Sequence, residues 1–344
     1  MTMRRPIRFG FFPGAVGMTW RQLVEAWKLA DQVGYSTAWI PDHFYSGWGS
    51  LESPCFEAWT TIGAMAAETK RIRIGPMVSG NTYRHPAVLA NMAATIDQIS
   101  GGRLELGLGA GWMQAEHAGY GIPLPPPRER LERLDEALTV LRLLFTERRA
   151  NFAGKYYQLD NALCEPKPIQ KPHPPFLIGG GGEKLTLRVV AKHADEWNGE
   201  VSPKGMQRKI AILHEHCRAI GRDPSEIEVS VLLRSESEAA ETYQSMLRAG
   251  NLNVEAERQQ LIAEGVSAAD LDEKLRAVVY EQFLPEDEAR AIDRLNEYVA
   301  VGVTHFIQIF RPPYDFARIE RFVTHVGPRV GASGTLLNSG RVNL

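Results

Sequence analysis

The sequence predicts an α/β fold, a (β/α)8 TIM barrel with insertions, and two observations carry that prediction. Short β-rich runs alternate with amphipathic helical stretches along the whole chain, the signature of a parallel sheet wrapped by helices. Three glycine-bearing segments, residues 78–86, 101–112 and 178–182, each follow a strand, and one barrel mouth would collect all three. A length of 344 residues suits one large barrel as well as two average domains, so pattern rather than length decides. Residues 1–330 are expected to form a single domain, and residues 331–344, small and polar, a loosely held tail.

Composition narrows the function. With 39 basic and 41 acidic residues the formal net charge is -2, which removes the electrostatic case for nucleic acid or an anionic membrane and leaves a small molecule as the expected partner. No apolar run approaches the roughly eighteen residues that would mark a membrane span. The start, Met1-Thr2-Met3-Arg4-Arg5-Pro6, leads into an apolar run too short and glycine-broken for a secretory segment. Cys55, Cys164 and Cys217 are far apart and none belongs to a CxxC pair. They fit a cytoplasmic protein and speak against a disulfide framework, a thiol redox pair or a zinc site.

Taken in order, the first strand is read at residues 7–11 and the first helix at 20–33. The second strand, 37–40, ends in Trp39-Ile40-Pro41-Asp42-His43-Phe44. An acid and an imidazole at the C-terminal end of a barrel strand stand where barrel enzymes do chemistry. A histidine exchanges protons near neutral pH and a neighbouring carboxylate can orient it, so His43 is read as the catalytic group and Asp42 as its partner. The plainer alternative is a histidine satisfied by backbone carbonyls. Trp48, between Gly47 and Gly49, is expected to wall a planar ligand.

A helix at 56–68 leads to the third strand, 72–78, which stops in Val78-Ser79-Gly80-Asn81-Thr82. Small residues there permit close ligand approach. His85, before Pro86, reads as a packing residue at the start of the helix at 87–99. The fourth strand, 104–108, runs into Gly107-Leu108-Gly109-Ala110-Gly111-Trp112. That spacing is GxGxG, and no acidic residue ends a strand about twenty residues on, so it is a poor dinucleotide fingerprint. A ring-binding loop is the better reading, with Glu116 serving the electrostatics of the helix start.

A helix at 129–145 precedes an irregular stretch, 146–175, read as a hairpin and a proline-rich connection. The fifth strand, 176–178, delivers Gly179 to Gly182 ahead of a helix at 183–192. Four glycines expose backbone N–H groups beside a helix N-terminus, which suits a phosphate. Strands at 196–199, 227–233 and 304–310 and helices at 204–220, 286–301 and 316–326 complete eight pairs. Residues 235–285, rich in Glu, Ala, Leu and Gln, form a helical insertion after the seventh strand, read equally as a lid over the mouth or as a contact surface. Metal chemistry is not expected. The first strand lacks an HxH, and His214-Glu215-His216 places its imidazoles on diverging faces of a helix.

These motifs resemble the bacterial luciferase-like family of flavin and deazaflavin oxidoreductases over residues 7–326. The resemblance rests on Asp42-His43 after the second strand, Val78 to Pro86 after the third, Gly102-Arg103 through Gly111 on the fourth and Gly179 to Gly182 after the fifth. Asp42-His43-Phe44, Asn81-Thr82-Tyr83-Arg84-His85-Pro86 and Gly109-Ala110-Gly111-Trp112 look most like the branch that depends on the deazaflavin coenzyme F420, with the FMN-dependent branch the alternative. The resemblance implies that Asp42, Val78, Ser79, Gly80, Thr82, Ala110 and Gly111 border the ring, that Gly179, Gly180, Gly181 and Gly182 hold the phosphate, and that His43 stands near the hydride-exchanging carbon. Phe12, Phe44, Trp48 and Trp112 are then expected to line a hydrophobic or aromatic substrate. Trp112 stands where the sugar-phosphate dehydrogenases of this branch have a glutamate, which argues against a sugar phosphate. The expected activity is hydride transfer between F420 and a small organic molecule. A monooxygenase using reduced FMN and oxygen is the alternative, and a flavin-binding protein without turnover the third reading. A homodimer is expected from family habit.

Overall fold

The computed structural model describes residues 5–14, 17–46, 50–248 and 251–331. The chain alternates β1 (Arg8–Pro13), α1 (Trp20–Val33), β2 (Thr37–Ile40), α2 (Ala58–Glu68), β3 (Arg73–Pro76), β4 (Ser79–Gly80) and α3 (Pro86–Ser100). It continues through β5 (Leu106–Gly109), α4 (Gln114–Tyr120), α5 (Pro127–Thr146), the hairpin β6 (Ala150–Ala153) and β7 (Gln158–Ala162), β8 (Phe176–Gly179), α6 (Thr186–His193), β9 (Glu196–Gly199) and α7 (Pro203–Ala219). The last part holds β10 (Glu228–Ser235), α8 (Ala239–Arg248), α9 (Leu252–Ala263), α10 (Leu271–Tyr280), β11 (Phe283–Leu284), α11 (Glu288–Ala300), β12 (His305–Phe310) and α12 (Phe316–Arg321).

Parallel pairing runs in the order β3-β2-β1-β12-β10-β9-β8-β5-β4. Because β3 and β4 are two parts of one segment, the nine strands fill eight barrel positions. The Ile74 N–H donating to Arg103 O at 3.0 Å, and the Glu105 N–H to Ile74 O at 2.9 Å, close the ring. The expected (β/α)8 architecture is thus the observed one. Alternation sorts the strand residues: Phe9 and Phe11 pack outward among the helices, whereas Phe12 joins Trp39, Met77, Leu177, Ile307 and Ile309 inside the barrel.

Two departures from the sequence reading matter for the mouth. The third strand is not continuous to Val78; it breaks at Met77 and Val78, joined by a cis peptide bond, before pairing resumes at Ser79. The helix after the glycine run starts at Thr186 rather than 183, leaving a longer loop. The insertion after β10 is helical, as expected, and α8, α9, α10 and β11 bury Tyr243, Met246, Leu275, Val279 and Phe283 in a cluster of their own.

Opposite the mouth, the strand starts carry charge into the barrel. Arg8 binds Glu105 at 3.0 Å, Glu196 at 2.9 Å and Glu228 at 2.7 Å, and Arg73 joins Glu105 at 2.5 Å. His305, fully buried, meets Glu196 through Nδ1 at 2.8 Å and Thr37 Oγ1 through Nε2 at 2.9 Å. Burial disfavours the Arg8 charge, but the three surrounding carboxylates hold its guanidinium protonated above its ordinary range. Arg103, the arginine of the fourth-strand motif, is also structural. It donates to Ala66 O at 2.7 Å and Thr69 O at 3.0 Å, satisfying carbonyls at the end of α2.

Candidate active site

His43 follows β2 at the C-terminal end of the barrel. Its Nδ1 lies 3.0 and 3.1 Å from the two carboxylate oxygens of Glu116, which reaches in from α4. The Glu116 side chain is fully buried and also accepts from Phe44 N at 2.6 Å, from Tyr45 N at 2.9 Å and from the Tyr83 hydroxyl. Burial alone would raise the Glu116 carboxyl, but the bond from His43 and those from Tyr45 N and Tyr83 hold it at about 2. It is an anion at any working pH. Burial and the Glu116 charge push the Tyr83 hydroxyl well above its ordinary range, so it stays a donor.

Asp42 does not orient His43. Its buried carboxylate accepts from Ser79 Oγ at 2.5 Å and from both Arg84 terminal nitrogens at 2.6 and 3.1 Å. Ser79 Oγ in turn accepts from Trp59 Nε1 at 3.1 Å. Asp42 and Ser79 therefore tie the end of β2 to β4 behind the mouth, and neither offers its side chain to a ring, contrary to the expectation from resemblance. Gly80 serves packing: a Cβ there would sit 2.6 Å from the Tyr83 ring.

Val78 is the residue the bulge turns inward. A Cβ on Gly109 would lie 2.6 Å from Val78 Cγ2, and one on Gly179 2.9 Å from Val78 Cγ1. The strand-end glycines of β5 and β8 therefore make room for the Val78 isopropyl group, and together they leave a flat apolar floor beneath the mouth. Gly111 has a φ of +81°, and a Cβ there would meet Thr82 Oγ1 at 2.5 Å. Thr82 Oγ1 lies 2.8 Å from His117 Nε2, while His117 Nδ1 lies 2.8 Å from Met113 O. A carbonyl only accepts, so Nδ1 carries the His117 proton and Thr82 donates to Nε2. The lone pairs of Thr82 remain to accept from a ligand N–H. Ala110 is half-buried beside this corner.

The loop from Gly179 to Gly182 is open to solvent at Gly180, whose φ of +129° favours glycine. Its Gly180 N–H donates to Asn198 O at 3.3 Å, whereas the Gly181 and Gly182 N–H groups donate to no described residue. The buried Lys209 ammonium donates to Gly181 O at 2.6 Å from beneath. With α6 starting four residues after Gly182, the free N–H groups of the loop, more than a helix terminus, are what an anion would meet.

Among the residues assigned to substrate, Trp112 is 62% exposed, with its ring centre 5.5 Å from that of His43 and the two planes nearly perpendicular. Phe44 stacks between Tyr83 at 5.0 Å and Tyr120 at 5.1 Å. Phe12 does not reach the mouth: it is buried in the barrel interior. Trp48 lies outside the described residues. Glu116 is the functional residue that sequence reasoning misplaced. The signal available was a carboxylate beside a histidine at the start of a helix that opens onto the mouth.

With this geometry in view, comparison with known proteins is decisive for the family. Residues 5–305 match the family model described as luciferase-like monooxygenase. The chain belongs to this family. An F420-dependent glucose-6-phosphate dehydrogenase of Kineococcus radiotolerans is 28% identical over 337 residues, covering 95% of this chain and 98% of that protein. Among solved structures, an F420-dependent secondary alcohol dehydrogenase in complex with an F420-acetone adduct matches with a TM-score of 0.73 at 22% identity over 95% of this chain and 99% of that one. The coenzyme F420-dependent tetrahydromethanopterin reductase of Methanopyrus kandleri matches equally, at 0.73, with 21% identity over 94% and 99%. The luciferase-like resemblance read from the strand-end motifs is borne out, and these relatives agree with its F420-dependent branch.

Proposed function

We propose that this protein is an F420-dependent oxidoreductase that moves a hydride between the deazaflavin ring and a small, hydrophobic or aromatic organic substrate. The observation that carries this reading is the His43 imidazole at the barrel mouth, anchored through Nδ1 by buried Glu116 and flanked by exposed Trp112. The residues suit a phosphorylated tricyclic ring: the apolar Val78, an acceptor at Thr82, and N–H groups at Gly181 and Gly182 without partners among the described residues.

When bound, F420 supplies the two-electron hydride chemistry, and the protein supplies position and proton. The Gly181 and Gly182 N–H groups would hold the phosphate, and Val78 and the Gly111 corner the ring. Trp112 and Phe44 keep water from the substrate side. His43 exchanges the proton that accompanies the hydride, through the ring nitrogen that Glu116 does not hold. A rim of Phe44, Tyr83, Tyr120 and Trp112 supports a substrate with an apolar or aromatic body.

The test is a side-by-side titration of the purified protein with F420 and with FMN, followed by fluorescence. It is succeeded by an anaerobic screen of secondary alcohols with F420 and of electron-poor acceptors with its reduced form. Tight F420 binding, weak FMN binding and oxygen-independent turnover are expected. Preference for FMN with oxygen consumption would replace this reading by a monooxygenase, and flat turnover across the screen by a binding protein.

A further inference from the structure

The contacts of Glu116 determine which nitrogen of His43 carries a proton. An ionised carboxylate has acceptor oxygens only. Oε1 takes the Phe44 and Tyr45 N–H groups at 2.6 and 2.9 Å, Oε2 takes the Tyr83 hydroxyl, and both lie within 3.1 Å of His43 Nδ1. A bare Nδ1 lone pair facing this anion would be repelled. Among the described residues, Glu116 has no ion-pair partner other than His43. Arg84, which follows Tyr83 in the chain, is committed to Asp42 and Glu57 at 2.6 Å each.

Resting on the reading that His43 meets the substrate, we propose that Glu116 is a positioning residue that fixes His43 in the Nδ1–H tautomer, so that proton exchange with substrate occurs at Nε2. In its neutral form the imidazole then presents the Nε2 lone pair to a hydroxyl proton. In its cationic form it presents the Nε2 proton to a developing alkoxide or carbanion. Neither direction needs the ring to turn, because the bifurcated contact from Nδ1 to both Glu116 oxygens stays the same in each. The Tyr83 hydroxyl and the two backbone N–H groups keep the carboxylate itself from rotating.

The proposal separates Glu116→Gln from a merely structural change. The amide oxygen of glutamine must take the place of Oε1, since only it can accept from Phe44 and Tyr45 N–H. At the Oε2 position, 3.0 Å from His43 Nδ1, the amide nitrogen then stands as a donor, so the Nδ1–H form loses that acceptor and the proton shifts toward Nε2. Overlaying this tautomer on an unchanged ring position should lower turnover by about 10²- to 10⁴-fold, the range for loss of a positioned proton carrier or its tautomer. Glu116→Asp keeps the charge and the acceptor and is expected to recover most of that loss.

The experiment is a long-range ¹H–¹⁵N correlation spectrum of the full chain labelled with ¹⁵N-histidine, with His43 assigned by the signal missing in His43→Asn. Wild-type protein should show a protonated Nδ1 and an unprotonated Nε2 in the neutral form of His43. Glu116→Gln should show the reverse, and Tyr83→Phe should leave the wild-type pattern. An Nε2–H tautomer in the wild-type protein overturns the proposal without any variant having to fold, and so does a Glu116→Gln spectrum identical to wild type in a folded protein. Failure of the functional reading appears elsewhere, as absence of F420 binding by a wild-type protein whose His43 tautomer is as expected.

Discussion

The described barrel carries a histidine–glutamate pair at each end, fully buried at one and partly open at the other, and the two pairs are put to opposite uses. At the strand starts, His305 binds Glu196 through Nδ1 and Thr37 through Nε2, and Arg8 draws Glu105, Glu196 and Glu228 around it. Both ring nitrogens are spent on protein partners in a network whose histidine and carboxylates are buried. At the mouth, His43 binds, among the described residues, Glu116 through Nδ1 alone, beside an exposed tryptophan. The same two side-chain types stabilise the barrel at one end and stand ready for substrate at the other. What differs is whether the second nitrogen is satisfied, which follows the general division of these barrels into a stabilising and a catalytic face.

The comparison can be broken most forcefully at the stabilising end. Arg8→Met removes the cation shared by three buried carboxylates and should cost about 3–5 kcal/mol in a urea unfolding experiment. Its F420 affinity should stay unchanged, because the change lies at the far end of the barrel. His43→Ala should do the reverse. Turnover of the best substrate from the screen should fall about 10²- to 10⁴-fold with F420 affinity and unfolding midpoint near wild type. Equal damage to both quantities by either variant would erase the distinction between the two ends.

Acid titration sharpens the comparison further. The Glu116 carboxyl is lower in the folded chain, about 2, than its ordinary 4.5. A depressed folded value means that its stabilisation is complete above about pH 4.5 and disappears as the pH falls toward 2. Thermal unfolding of wild type and Glu116→Gln should therefore differ by on the order of 1–3 kcal/mol at neutral pH, and the difference should shrink across that window. A constant difference from neutral pH down to pH 2 would mean that the carboxylate charge is not what the hydrogen bonds stabilise. The smallest effect is expected at the glycine loop proposed to hold the phosphate. Gly180→Ala forces a side chain onto a φ of +129°, a strain of about 1–3 kcal/mol, and should weaken F420 binding with little change in turnover at saturating cofactor. Unaltered affinity would remove the loop from the cofactor site.

Much of this was legible in the sequence because it depends on local pattern. The alternation of β-rich and amphipathic runs placed eight strands at the barrel positions they occupy, and His43 and the glycine run were marked by lying at strand ends. The role of Gly109 and Gly179 was not legible: both were taken as ligand-facing, yet their missing Cβ atoms also accommodate Val78 from a third strand. Phe12 was placed at the mouth because it is aromatic and near a strand end, but its register turns it into the barrel interior. The break at Met77 and Val78 was signalled only by the resemblance, which implies a bulged end to the third strand, because those residues have ordinary strand propensity.

The sequence by itself determined the fold class, the family and the loops that converge on the mouth, since hydrophobic period and glycine placement are local properties that the chain expresses wherever it packs. Only the tertiary structure decided who partners whom. Asp42 adjoins His43 in the chain, but successive side chains of an extended segment point apart, so its carboxylate turns away to Arg84 and Ser79. Glu116, 73 residues further on, reaches His43 because closing the barrel brings the loops after the second and fourth strands over the same opening. A hydrogen bond depends on distance and direction in space, and no local pattern carries that information.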